Sequence, residues 1–296
     1  MKPQQASSTA KVIAAATLLL ASSPKTAQRV ATGAATLCQY FLATTWCDRL
    51  LAASATQPAS RWLWQTLEHF THPGIINHYW HRKRWIETQC LQALQQGVKR
   101  VVIIGAGLDT LALRLADAWP EVQWIELDHP ATQQLKRKGL LQAGIDIPCN
   151  VTLHTVDLSA ESLPSFLLND ARQTLVVLEG VLMYLSEADV IHLLRDQLPQ
   201  LSTSSVRLIF SHMVQWPDNT VGFRPASRWV DWWLAWRTER FTWALVPTVM
   251  PIWLAQQGFE VLAHASPPFL DVEPLADASR LQGENLVLCQ SIPKTA

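Results

Sequence analysis

The sequence predicts an α/β fold: one domain built on a seven-stranded, mostly parallel sheet, with an N-terminal helical cap and a helical lid insertion. Three observations carry this. The chain reads as helical up to about Leu94, with polar breaks around residues 54–60 and 71–74. From Lys99 onward, short β-branched runs alternate with helical stretches. No internal repeat or low-complexity linker divides the 296 residues. Residues 1–95 are therefore expected to form the cap and residues 96–296 the sheet domain, with the lid at about 214–254.

Composition limits the function classes. At 49% hydrophobic and 16% charged residues, the chain can bury one large core. Lys+Arg 24 against Asp+Glu 24 leaves no net charge, which argues against nucleic acid and anionic membranes as partners. The five cysteines, at 38, 47, 90, 149 and 289, are scattered, without CxxC or a Cys/His cluster. A reduced, metal-free, cytoplasmic protein is the expectation.

The elements follow in chain order. Val12–Leu20 resembles the apolar core of a secretory signal, but it is too short to span a bilayer, and Pro24 follows the only obvious cleavage point. Ser7, Ser8 and Thr9 instead suit the cap of an Ala/Leu-rich helix that lies over the site. Strands are predicted at Arg100–Ile104, Val122–Asp128, Val151–Val156, Thr174–Glu179, Val206–Met213, Phe259–Ala263 and Asn285–Gln290.

The first strand runs directly into Gly105-Ala106-Gly107-Leu108-Asp109-Thr110 and then a helix over Leu111–Trp119. Glycine is needed where the chain turns sharply and a ligand lies against bare backbone. Asp109 and Thr110 suit helix caps. A nicotinamide site would carry a third glycine where Thr110 stands, so the motif leans away from NAD. About twenty residues on, the second strand ends in Glu126-Leu127-Asp128-His129-Pro130, the spacing of an acid that grips ribose hydroxyls. Asp128 is best placed for that role, and capping the next helix is its ordinary alternative. Asp157-Leu158 ends the third strand and Glu179-Gly180 the fourth, where ligands of open α/β sheets collect. The pair at the third strand suits an adenine, and an acid with a flexible glycine suits a cationic centre. Ser186-Glu187-Ala188-Asp189 reads as a capping box for a helix through Leu198.

These motifs, together with Tyr79-Trp80-His81-Arg82-Lys83-Arg84-Trp85-Ile86-Glu87, Arg114-Leu115 and Glu179-Gly180-Val181-Leu182-Met183-Tyr184-Leu185, resemble the leucine carboxyl methyltransferase family. Its bacterial members include tetracenomycin-type polyketide O-methyltransferases. The likeness runs from Ser7-Ser8-Thr9-Ala10 to about Leu198 and thins beyond Met213. It implies a Rossmann-like class I methyltransferase fold and S-adenosyl-L-methionine as cofactor. It further implies Arg84 at the methionine carboxylate, Arg82 and Lys83 crowding the same stretch. Gly105, Ala106 and Gly107 would form the cofactor turn, with Glu126 and Asp128 at the ribose, Asp157 and Leu158 at the adenine, and Glu179 and Gly180 near the methionine end. Eukaryotic members methylate a phosphatase C-terminus, a specificity that nothing in this chain carries over.

Methyl transfer from a sulfonium needs a desolvated, aimed nucleophile and no covalent residue. A carboxylate acceptor needs no general base; a phenol does. His212, at the end of the fifth strand, and Tyr184 are candidates for that base. Seven of the 14 tryptophans fall at 216, 229, 232, 233, 236, 243 and 253, with 229, 232, 233 and 236 at helical spacing. They suit either core packing or a lid lining an acceptor pocket, with Arg224 or Arg228 orienting an acid. The expected reaction is O-methylation of a small apolar or aromatic molecule bearing an acid or phenol. A non-catalytic binder of the same cofactor and an NAD oxidoreductase are the alternatives.

Overall fold

In the computed structural model, Ser7 opens the first helix: its hydroxyl accepts from the Ala10 N–H at 3.1 Å, and α1 runs over Ser8–Ala21. The structure describes residues 6–158, 161–225, 241–267 and 281–292. Four further helices complete the N-terminal part: α2 (Ala34–Phe41), α3 (Trp46–Thr56), α4 (Pro58–Phe70) and α5 (Ile75–Gln95). The anticipated breaks fall at the α3–α4 junction, where Pro58 takes the first turn of α4, and at Gly74, whose φ of 90° admits glycine before α5.

The strands are β1 (Arg100–Ile104), β2 (Gln123–Asp128), β3 (Val151–Thr155), β4 (Thr174–Leu178), β5 (Val206–Val214), β6 (Ala244–Leu245), β7 (Phe259–Ala265) and β8 (Glu284–Ser291). Their order is β3-β2-β1-β4-β5-β8-β7, with the two-residue β6 attached to β5. β1 to β5 pair in parallel, and β8 lies antiparallel between β5 and β7. The expected seven strands are thus all present, and only β6 went unpredicted, being too short to leave a pattern. Order reverses beside β1, which pairs with both β2 and β4, and the crevice at such a switch point is where ligands of open sheets bind.

Side-chain alternation feeds two cores. Val101, Ile103, Trp124, Leu175 and Val177 face α1 and α5, while Val102, Ile104, Ile125, Leu127, Val176 and Leu178 face the helical run after β4. Among the described residues four helices remain: α6 (Leu111–Leu115), α7 (Pro130–Gln142), α8 (Glu187–Ile191) and α9 (Met250–Gln256). α6 stops well short of the expected Trp119. The helix expected to reach Leu198 is α8 continued by a π turn (His192–Gln197) and a 3-10 turn (Leu198–Leu201). Its cap is as expected, Ser186 Oγ accepting from the Asp189 N–H at 3.2 Å. Among the described residues no helix is long and apolar enough to cross a membrane.

Candidate active site

Strand register brings the site together. Ile104 pairs with Leu127, and Asp128 with Thr155, so Gly105, Asp128 and Val156 leave the sheet side by side; Leu178 delivers Glu179 on the other flank of β1. The Gly105 and Ala106 N–H groups both donate to the Leu127 carbonyl, at 2.8 and 3.1 Å. Gly105 and Gly107 have φ of +68° and +55°, and a Cβ on Gly105 would lie 2.4 Å from Val181 Cγ2. Asp128 closes the turn, accepting from the N–H groups of Gly107 and His129. Its buried carboxyl is pushed above the ordinary range by burial, against those two bonds.

A cavity of about 430 Å³ opens over these strand ends. Ala106, Asp157, Leu158, Glu179 and Gly180 all line it, as do Gly105, Gly107 and Asp128. α1 supplies one wall through Ala10, Ile13 and Thr17. Tyr79, Met183, Tyr184, Phe223 and Phe241 form an apolar side, with Phe241 centred 5.8 Å from Tyr184 and 6.3 Å from Phe223.

Charges at the floor are interlocked. Arg82 bonds Glu179 Oε1 through Nε at 2.9 Å and Glu284 through Nη1 at 2.9 and 3.0 Å. Lys83 Nζ sits 3.2 Å from both Glu179 Oε2 and Asp109 Oδ1, and His78 Nε2 lies 2.7 Å from Glu284 Oε2. Burial alone would raise the Glu284 pKa, but the Arg82 charge and the bonds from His78 and Ser211 bring it to about 2. Asp109 likewise falls to about 2, burial being outweighed by Lys83, Lys136 and Arg114. Ser211 also accepts from the Gly180 N–H at 2.9 Å, tying the β4 end to β5.

Four expectations are corrected. Glu126 is fully buried, does not line the cavity and is ion-paired to Lys136 at 2.5 Å, because α7 covers that face of β2 one pleat below Asp128. His212 is sealed in the core, Nδ1 on the Met213 carbonyl at 3.0 Å and the ring against Trp243; burial depresses its pKa to about 4. Arg224 pairs with Asp218 and stacks on Trp216 instead of facing the cavity. Asp109 reaches Lys83 and its neighbour Thr110, so its part is electrostatic more than that of a cap. Tyr184 lines the cavity as a base at the acceptor would have to. Arg84 borders the cavity but is exposed, whereas the buried Arg82 two residues earlier grips Glu179. Trp243 packs on Trp253 as core; Trp229, Trp232, Trp233, Trp236 and Arg228 lie outside the described residues.

Sequence reasoning missed Glu284 and His78 altogether. The one available signal was an acid opening an otherwise apolar strand at Gly283-Glu284-Asn285. Its partners on α5 lie about 200 positions away, 202 for Arg82 and 206 for His78, and no local pattern reports that pairing.

Residues 25–197 match the family model for leucine carboxyl methyltransferase. The chain belongs to that family. The glycine turn, Asp128 and the strand-end acids of the cavity all lie within the matched span. SCO7813 of Streptomyces coelicolor, a provisionally named S-adenosyl-L-methionine-dependent methyltransferase, is 31% identical over 200 residues, 62% of each chain. YktD of Bacillus subtilis, named in the same way, is 43% identical over 63 residues, 21% of each. The chain thus aligns with less than two thirds of these relatives. Among solved structures, the methyltransferase SibL in its apo form gives a TM-score of 0.46 at 19% identity, over 81% of this chain and 61% of that one. The mitomycin 7-O-methyltransferase MmcR gives 0.45 at 15%, over 81% and 71%. This leucine carboxyl methyltransferase relative has the Rossmann-like sheet of class I methyltransferases, and S-adenosylmethionine is the cofactor of its family.

The residues present fit that cofactor. An acid at the β2 end beside a positive-φ glycine turn suits a ribose, Asp157-Leu158 suits a purine edge, and adjacent cations and carboxylates suit a zwitterionic amino acid. The cavity volume falls within the usual range for a small-molecule site.

Proposed function

We propose that this protein is an S-adenosylmethionine-dependent O-methyltransferase acting in the cytoplasm on a carboxylate, or failing that a phenol, of a small apolar or aromatic molecule. One observation carries the reading: a single cavity runs from the strand-end acids to an aromatic side made by Tyr79, Tyr184, Phe223 and Phe241.

S-adenosylmethionine would supply an electrophilic methyl group at the Glu179 end. Asp128, Asp157 and Leu158 would hold its nucleoside, and Arg84 with Lys83 its carboxylate. Glu179 is already neutralised by Arg82 and Lys83, so it orients a positive ammonium without competing as a nucleophile. The aromatic side strips water from an acceptor anion, which raises its nucleophilicity. Arg29 also borders the cavity, its guanidinium 5.5 Å above the Trp80 ring and its Nη1 without a hydrogen-bond partner among the described residues. That cation suits an acidic acceptor. With His212 sealed away, Tyr184 remains of the two expected bases, with His72 also on the cavity wall 5.4 Å from the Phe223 ring; a phenol acceptor would need such a base, whereas a carboxylate facing Arg29 needs none. A carboxylate, already ionised, is therefore favoured.

Calorimetry with S-adenosylhomocysteine comes first, with saturable binding expected. Transfer of labelled methyl groups is then screened over carboxylic acids and phenols. Base-labile counts that release methanol identify an ester, and base-stable counts an ether. Binding without transfer to any acid or phenol would overturn the O-methyltransferase reading in favour of a non-catalytic binder.

A further inference from the structure

α4 is an amphipathic helix turned inside out. Beyond Ser60 in its first turn, its half-buried positions Arg61, Trp64 and Glu68 repeat at helical spacing and face the protein. Arg61 Nη2 donates to the Ser22 carbonyl at 2.9 Å, Trp64 Nε1 to Ser54 Oγ at 3.2 Å, and Glu68 Oε1 accepts from the Ile76 N–H at 3.1 Å. The opposite arc carries Trp62, Leu63, Leu67 and Phe70, exposed at 64, 44, 52 and 72%. α3, packed beside it, adds Trp46 at 72% and Leu50 at 60%, one helical turn apart.

We infer that the α3–α4 face is the seat of a second copy of this chain, two helical hairpins packing across a two-fold axis as a four-helix bundle. Area supports it: at roughly 200 Å² per aromatic side chain, these six residues expose on the order of 700 Å². A standard interface uses about 800 Å² from each partner, and isolated apolar patches on monomers are usually smaller. Charge supports it as well. An isologous contact must be complementary to itself, which suits an α4 arc that carries no Asp, Glu, Lys or Arg; the exposed Arg49 beside Leu50 on α3 donates to the Ala43 carbonyl at 2.8 Å. A lipid-surface helix would carry lysines or arginines along its polar side, whereas here Arg61 and Glu68 turn inward.

The test is sedimentation equilibrium of the full chain from 0.1 to ~100 μM, beside Leu67→Glu and Trp62→Glu, with co-sedimentation on phosphatidylcholine/phosphatidylglycerol vesicles. A reversible dimer is expected, weakened at least 100-fold in each variant, with melting temperature and S-adenosylhomocysteine affinity unchanged. A monomer across the whole range would overturn the inference. So would vesicle binding that Leu67→Glu abolishes, which would make the face a lipid contact. Because cofactor binding is read separately, failure here leaves the proposed methyl transfer standing.

Discussion

At the scale of single residues, Glu284 and Gly105 determine most. Glu284 is fully buried, and removing its charge strands Arg82 and His78. Breaking a buried pair from one side costs about 3–5 kcal/mol, so Glu284→Gln should lower the melting temperature sharply. Gly105 combines positive φ with a clash toward Val181, so Gly105→Ala should weaken both fold and cofactor binding. Val181→Ala opens the space without relieving φ; the double variant should recover part of the stability, and no recovery would mean strain alone governs the site. Asp128→Ala removes the acceptor for two backbone N–H groups as well as the proposed ribose ligand. A loss of about 2–4 kcal/mol in S-adenosylhomocysteine binding is expected by calorimetry, with Asp128→Asn in between; unchanged affinity would remove the ribose assignment. Asp128 and Glu179 were legible because each closes an apolar strand, and Asp157 because it ends a β-branched run, strand ends being where an open sheet binds. Glu126 was misread for the same reason: alternation gives the side a residue faces but not its depth, and one pleat separates a cavity wall from a buried ion pair.

At the scale of elements, the sheet was legible almost to the residue, since a parallel strand buried on both faces is a short apolar run with clear ends. Helix ends were less so: α6 and the α8 region are set by tertiary contacts, not by caps alone. Nor could periodicity foresee that α4 presents its apolar arc outward, because a moment has magnitude without telling which side meets the protein. The acceptor wall belongs to this scale. Phe241, next to Tyr184 and Phe223, should govern acceptor use: Phe241→Ala is expected to cut kcat/KM by about tenfold, roughly one aromatic contact, while cofactor affinity holds. Parallel variants at Trp232 and Trp233 address the lid expected there. A uniform fall in melting temperature with unaltered acceptor kinetics would make those tryptophans packing.

At the scale of the whole molecule, acid should act in two steps. His212 is held neutral with a pKa of about 4, against about 6.5 unfolded, so below pH 6.5 the unfolded chain takes the proton more readily. Its stabilisation is therefore full above pH 6.5 and lost as pH falls through 4, on the order of 3 kcal/mol. Asp109 and Glu284, both depressed to about 2, stabilise above their unfolded values near 4 and lose that contribution as pH drops toward 2. His81, likewise lowered to about 4 by burial, adds to the same limb as His212, so denaturant titrations from pH 8 to 3 should show both limbs and His212→Leu should shrink only the upper one; an unchanged upper limb would assign it elsewhere. β8, which carries Glu284, has a further consequence. It follows the other described strands in the sequence, yet it inserts between β5 and β7 and places Glu284 on Arg82 and His78 of α5. A nascent chain on the ribosome, growing by about 5–20 residues per second, can form β1 to β4 with their glycine turn well before this acid emerges. Until then Arg82 lacks half of its counter-charge. The charge floor of the cleft is thus assembled after the glycine turn, and cofactor capture waits on the insertion of β8 instead of guiding the strands that precede it.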